Sequence, residues 1–236
     1  MKKFFATALL MTALIFGNAC AEEISDPEGA TSAPADINHP DSIYFPRVDV
    51  NALPPAADRI ILTNYPTVQQ TTGYSCGPAA ALTVLNYFGN RDFDEATLIT
   101  RMETKPAIGT SLGNMVKFFR SIGWNVQSSL DSPPFADISD FKNFVAENPS
   151  HGKPIIVENI EFGGHWRVII GLDGMGTDNL YDDVLIFADP FDTSGHGQDG
   201  YTFASLDRFF SMWFDHNMLP EAERNQPWLI ATPRRN

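Results

Sequence analysis

His165-Trp166-Arg167-Val168-Ile169-Ile170-Gly171-Leu172 is an apolar run broken by a single charge and entered through Gly163-Gly164. Its length and β-branched content mark a core strand. Pro154 to Ile160 upstream and Val184 to Ala188 downstream read the same way, and the polar loop from Asp173 to Asp183 suits a hairpin between the last two. Further upstream the period becomes helical. Ala80, Ala81, Val84, Leu85 and Phe88 share one helix face behind Pro78, a residue suited to a first helical turn, and Gly89 terminates it. Met115, Phe118, Phe119 and Ile122 mark a second helix closed by Gly123. Phe141, Phe144 and Val145 mark a third closed near Pro149, and Asp94 to Met102 form a shorter one. Leu206, Phe209, Phe210 and Trp213 make a late helix behind Ser205 as its cap. Helices first and strands second predict an α+β fold, a helical part packed on an antiparallel sheet, rather than a βαβ alternation.

With 43% hydrophobic and 19% charged residues, the 236-residue chain has the composition of a globular protein and not of a disordered one. Its net charge of -13 would repel a phosphate backbone, which argues against nucleic acid as a partner. Two cysteines, Cys20 and Cys76, are too few for a disulfide framework or a thiolate zinc cluster.

Lys2 and Lys3, the apolar stretch Phe4 to Phe16 and then Ala19-Cys20-Ala21 read as a secretory signal cleaved after Ala21. That stretch is too short for an integral membrane span. Cleavage would remove Cys20 and two lysines, taking the net charge from -13 to -15. The competing reading makes Cys20 a lipidated amino terminus, but Gly17 stands where such signals carry a larger aliphatic residue. Residues 22–58, rich in proline and acids, read as an irregular leader or tether, and residues 59–236 as one compact domain. The expected location is exported, periplasmic or extracellular.

In an oxidising compartment a lone cysteine is a liability unless it is buried or used. Cys76 lies in Gly73-Tyr74-Ser75-Cys76-Gly77-Pro78, at the start of the first helix, where free N–H groups and the helix dipole favour a thiolate. A buried structural thiol is the competing reading. A thiolate nucleophile needs a proton partner. His39, His151 and His216 fall in tether, turn and surface contexts, whereas His165 opens a core strand and can be presented rigidly; His196, in a Gly-flanked loop, is second choice. Asp189, between Ala188 and Pro190 at the end of the next strand, can orient the imidazole if the two strands pair. Gln70, six residues before Cys76, can join the Cys76 backbone N–H as an oxyanion donor.

Gln70-x5-Cys76-Gly77-Pro78, Gly164-His165-Trp166 before an aliphatic strand, and Ala188-Asp189-Pro190 together resemble the bacteriocin-processing double-glycine leader peptidases. These form the thirty-ninth cysteine-peptidase family of the papain-like superfamily. Over residues 60 to 215 the resemblance implies a papain-like fold, peptide or protein substrates, and peptide-bond cleavage through a Cys76 acyl-enzyme without metal or organic cofactor. It places His165, Asp189 and Gln70 on the family's base, orienting acid and oxyanion donor. Two features depart from the family pattern: the best-known members are cytoplasmic domains of peptide exporters, and Arg167 interrupts the usual apolar run. The double-glycine preference is therefore not carried over.

The same apparatus would serve a thiol-dependent acyltransferase, phytochelatin-synthase-like or transglutaminase-like, or a non-catalytic peptide-binding module. Asp173, Asp178, Asp182 and Asp183, and separately Asp192, His196 and Asp199, lack the spacing of a known metal loop and read as solvated polar turns. Natural substrate and oligomeric state leave no mark in the sequence.

Overall fold

A computed structural model describes residues 48–193 and 198–234. Cys20, His39 and His196, with the signal and most of the leader, lie outside the described residues. The leader's final residues form a short 3-10 turn, Val50–Ala52, whose Val50 is buried in the main core.

In chain order the elements are β1 (Arg59–Ile61), α1 (Cys76–Tyr87), α2 (Glu95–Arg101), α3 (Leu112–Ser121), β2 (Asn125–Ser128) and α4 (Ile138–Ser150). There follow β3 (Ile155–Asn159), β4 (His165–Asp173), β5 (Val184–Ala188), β6 (Tyr201–Ser205), α5 (Leu206–Ser211) and β7 (Trp228–Thr232). Side-chain oxygens cap four of the helices. Asp94 accepts from the Thr97 N–H, Ser111 from Asn114, Asp137 from Ser139 and Asp140, and Ser205 from Arg208, so donors that each first turn would orphan are satisfied. The late helix is shorter than its apolar pattern suggests, and Trp213 packs into the core from just beyond its end.

The sheet runs β2-β7-β3-β4-β5-β6, antiparallel throughout, with β4 at its centre. One edge of β4 carries β5. The other carries β3 along its first half and β1 along its second, Arg59 to Ile61 facing Asp173 to Gly171. Gly171 is required at that crossing: a Cβ there would stand 2.5 Å from the Ile60 carbonyl oxygen. The hairpin expected from the Asp173–Asp183 loop is the β4–β5 pair, with a register shift between Ile169 and Gly171. Two acids of that loop serve the fold, Asp173 accepting from Arg59 Nε at 2.6 Å and Asp183 pairing with Lys142 at 2.8 Å.

Helices cover both faces of this sheet, which explains why β3, β4 and β5 read as continuous apolar runs. On one face α1, α2 and α3 pack Ala80, Leu85, Leu98, Met115 and Phe119 against Ile156, Val168, Ile170 and Ala188. On the other, α4 and α5 bring Phe141, Val145, Leu206 and Phe209 onto Ile155, Val157, Ile169, Leu185 and Phe187. Phe141 is fully buried, its ring 4.5 Å from Trp213 and 5.8 Å from Phe209. Truncating it should leave a void between α4, α5 and the sheet. Phe141→Ala is therefore expected to cost about 3–5 kcal/mol in urea unfolding; a loss under about 1 kcal/mol would show that this second layer contributes little.

Candidate active site

The mouth of the sheet, where β4 begins and β5 ends, meets the amino terminus of α1. Cys76 is the first residue of that helix, and Gly77 lets it sit low: a Cβ on Gly77 would come within 2.8 Å of Thr110. The Thr110 carbonyl in turn accepts from the Trp166 indole N–H at 3.0 Å, fixing the segment before α3 to the second residue of β4. Ser75 and Thr72 bond through their hydroxyls at 2.8 Å and hold the approach to α1.

His165 is buried, and its Nε2 lies 2.7 Å from Asp189 Oδ1. That contact leaves Nδ1 free of Asp189, and the Cys76 sulfur is near enough to the ring to act on its titration. Burial by itself would push the imidazole down. The Asp189 charge, its hydrogen bond and the Cys76 sulfur oppose burial and prevail, raising His165 to about 9. Asp189 is equally tied. Besides His165, Oδ1 accepts from the Phe191 backbone N–H at 2.9 Å, while Oδ2 accepts from Thr202 Oγ1 at 2.9 Å and stands 3.6 Å from an Arg167 nitrogen. Burial works against its charge, but His165 and Arg167 outweigh that and hold it well below the ordinary carboxylate range.

Arg167 thus has a place in the site. Buried beneath Asp189, it lies 4.1 Å over the Phe187 ring and pairs with Glu161 at 2.7 Å.

Gln70 is buried beside α1. Its Nε2 donates to the Thr72 carbonyl at 2.7 Å, which leaves that amide group a second hydrogen. Gln69 joins the two loops of the site: its Nε2 donates to the Asp189 carbonyl at 2.8 Å and its Oε1 accepts from the Asp192 N–H at 3.1 Å, while the Gln70 N–H donates to the Pro190 carbonyl. His151 and His216 are exposed; His151 Nδ1 bonds the Glu147 carbonyl.

Sequence patterns did not point to Gln69, Thr202 or Phe162. Phe162, two-thirds exposed, sets its ring edge-on to His165 at 5.6 Å and to Phe191 at 4.7 Å, with a left-handed φ of 55° that a bulky residue rarely adopts. The Cys76 side chain has little free surface, yet it lines an open cavity of ≈ 80 Å³ with Tyr74, Ile108, Glu158, Gly164, Trp166 and Met218.

The Peptidase_C39 like family model matches residues 62–213, a span that holds Gln70, Cys76, His165 and Asp189. The chain belongs to that family. Among solved structures, the peptidase domain of Streptococcus ComA, a bifunctional ABC transporter of a quorum-sensing pathway, is similar at 21% identity with a TM-score of 0.50. The match covers 72% of this chain and all of that one. The Streptococcus mutans ComA peptidase domain matches at 19% identity over 72% of this chain and all of its own, with a TM-score of 0.42. A double-glycine motif protease from an AMS/PCAT transporter, solved with its leader peptide, matches at 14% identity over 75% of this chain and 99% of its own, also at 0.42. No curated protein matches the chain. The first of these likenesses is one of fold, and the fold is the papain-like α+β arrangement of these peptidase domains.

Because His165 holds its proton more tightly folded than unfolded, its contribution to stability is complete below its ordinary value of 6.5 and is lost as pH rises through about 9. Unfolding free energies measured across that window should fall with pH in the parent protein and fall less in Asp189→Asn. Equal slopes in the two proteins would mean that Asp189 does not hold the imidazole charged.

Proposed function

We propose that the protein is an exported cysteine peptidase that hydrolyses peptide bonds through an acyl-enzyme on Cys76. The reading is carried by one observation: the His165 ring is bonded at Nε2 by buried Asp189 and lies near the Cys76 sulfur, which acts on its titration. Family membership supports the chemistry.

His165 takes the thiol proton and forms an imidazolium beside a thiolate that the α1 amino terminus favours. The sulfur attacks the scissile carbonyl carbon, and the negative charge passing to its oxygen is met by the Cys76 backbone N–H and the free hydrogen of Gln70 Nε2. His165 gives its proton to the departing amine. It then draws a proton from water, whose oxygen attacks the thioester and releases the acid and the free thiol. Asp189 keeps the ring's tautomer and plane through both transfers. Export rests on the signal-like segment from Met1 to Ala21. Among the described residues no helix is long and apolar enough to cross a membrane.

Turnover of a mixed fluorogenic peptide library tests the assignment. Cys76→Ala and His165→Ala should each lower kcat/KM by about 10⁴-fold or more with unfolding midpoints preserved for Cys76→Ala. Gln70→Ala should lower it by about 10²–10³-fold. Turnover that survives Cys76→Ala removes the assignment.

The pH profile provides a second check. Activity needs a protonated His165, so kcat/KM should fall on the alkaline side with an apparent pKa near the value of about 9 set by Asp189 and Cys76. An activity still rising beyond pH 10 would contradict a working imidazolium.

A further inference from the structure

The mechanism above leaves two buried acids beside Cys76 without a task. Glu158 lies on β3, opposite Trp166 on β4, and lines the Cys76 cavity. It is 1% exposed, and neither of its oxygens finds a hydrogen-bond partner of normal geometry among the described residues. Asp215, also buried, uses Oδ1 to accept from the Leu219 N–H at 2.8 Å, with Arg224 Nε 3.8 Å away, but its Oδ2 is unpartnered. Gly164 brings the two acids to one place: a Cβ there would meet Glu158 Oε1 at 3.0 Å, Asp215 Oδ2 at 3.1 Å and Met218 Cγ at 3.2 Å. Only glycine, at φ +143°, leaves that corner open immediately before His165.

Burial, the Asp215 charge and the Cys76 sulfur push Glu158 up to about 10, so at neutral pH Glu158 holds a proton. One proton cannot satisfy so many acceptors. Leaving a buried acceptor unmet is costly, and Glu158 belongs to the lining of a cavity. The missing donors must come from what enters it. Ile108, Trp166, Met218 and Leu219 line it with apolar side chains, and Glu158 is the one acid in the lining. Apolar side chains beside a single acid suit an aliphatic stem carrying a compact cation. At ≈ 80 Å³ the space favours an ammonium over a planar guanidinium.

We propose that the cavity beside Cys76 is a substrate pocket for a primary ammonium group, held by Glu158 with Asp215 next to it, on a residue close to the scissile bond. Its identity as a substrate pocket rests on the peptidase reading. The entering ammonium replaces the proton on Glu158, which passes to solvent, and the ammonium's three N–H donors meet oxygens that otherwise lack them. The net charge of -13 would draw cationic peptides toward the site. Two sources can supply the group: a lysine side chain or a peptide's own α-amino terminus.

The test uses full-length Cys76→Ala protein, which binds without turnover, and N-acetylated peptide amides carrying lysine or norleucine at successive positions. The norleucine peptides are also used unacetylated. At one position lysine should bind about 10-fold tighter than norleucine. If the tighter binding follows the free amino terminus instead, the pocket stands with the terminus as its source. Adding Glu158→Gln should abolish the preference. Calorimetry in buffers of different ionisation enthalpy should show proton release for the favoured ammonium peptide and none for its acetylated norleucine counterpart, which decides the matter even if the Glu158 variant does not fold. Equal binding of all three peptide types, a preference that survives Glu158→Gln, or binding without proton release would overturn the pocket. Library hydrolysis by the parent protein is measured in parallel: turnover without an ammonium preference removes only the pocket, whereas an ammonium preference without turnover removes only the peptidase assignment.

Discussion

One buried hydrogen bond, from the His165 ring to Asp189, organises the mouth of the sheet. A carboxylate and an imidazole taken out of water each lose hydration, and an unmatched charge in that position would be expelled or neutralised. Here the two compensate each other. Asp189 faces four groups if the more distant Arg167 is included, and they come from three places: His165 and Arg167 from β4, Phe191 from the turn after β5, and Thr202 from β6. The site is therefore a consequence of sheet register. Sliding β5 by one residue against β4 would send Asp189 to the opposite face and leave both His165 and Arg167 unmatched.

The helical layers supply what the sheet cannot. The amino terminus of α1 carries Cys76, and the close fit of Gly77 on Thr110 sets how near the thiol comes to β4. Gln69 ties the approach to α1 to the turn after β5, so the proposed nucleophile, oxyanion donor and orienting acid share one hydrogen-bonded frame. A rigid frame of this kind limits the reorganisation needed when charge moves from sulfur to oxygen during attack. Phe162 sits over it in a conformation that bulky side chains avoid, at the rim where a peptide would pass.

Much of the architecture is legible in the sequence because punctuation and period agree. The α1 and α3 helices end at Gly89 and Gly123, both with positive φ, and β3 to β5 are long enough to register as strands. Shorter or less patterned strands escape. Arg59–Ile61 has three residues, Asn125–Ser128 is mostly polar, and Tyr201–Ser205 and Trp228–Thr232 are defined by their partners rather than by alternation. Nor does an apolar run tell which face of a sheet a helix will cover, so the placement of α4 and α5 opposite α1 had no local signal. At the site, Cys76, His165 and Asp189 stand out because each sits at an element end, and Gln70 because of its spacing from Cys76. Thr202, Gln69, Glu158 and Asp215 do not, since their roles arise only when segments distant in sequence pack together.

Whether a buried carboxylate keeps the imidazole charged is best measured on the ring itself. The His165 resonances, followed by NMR across pH in the parent protein and in Asp189→Asn, report its protonation directly. The structure calls for titration near 9 in the parent and a marked fall in the variant, where burial acts with less opposition. A ring that titrates at or below 6.5 in both proteins would contradict the charged pair on which the chemistry depends.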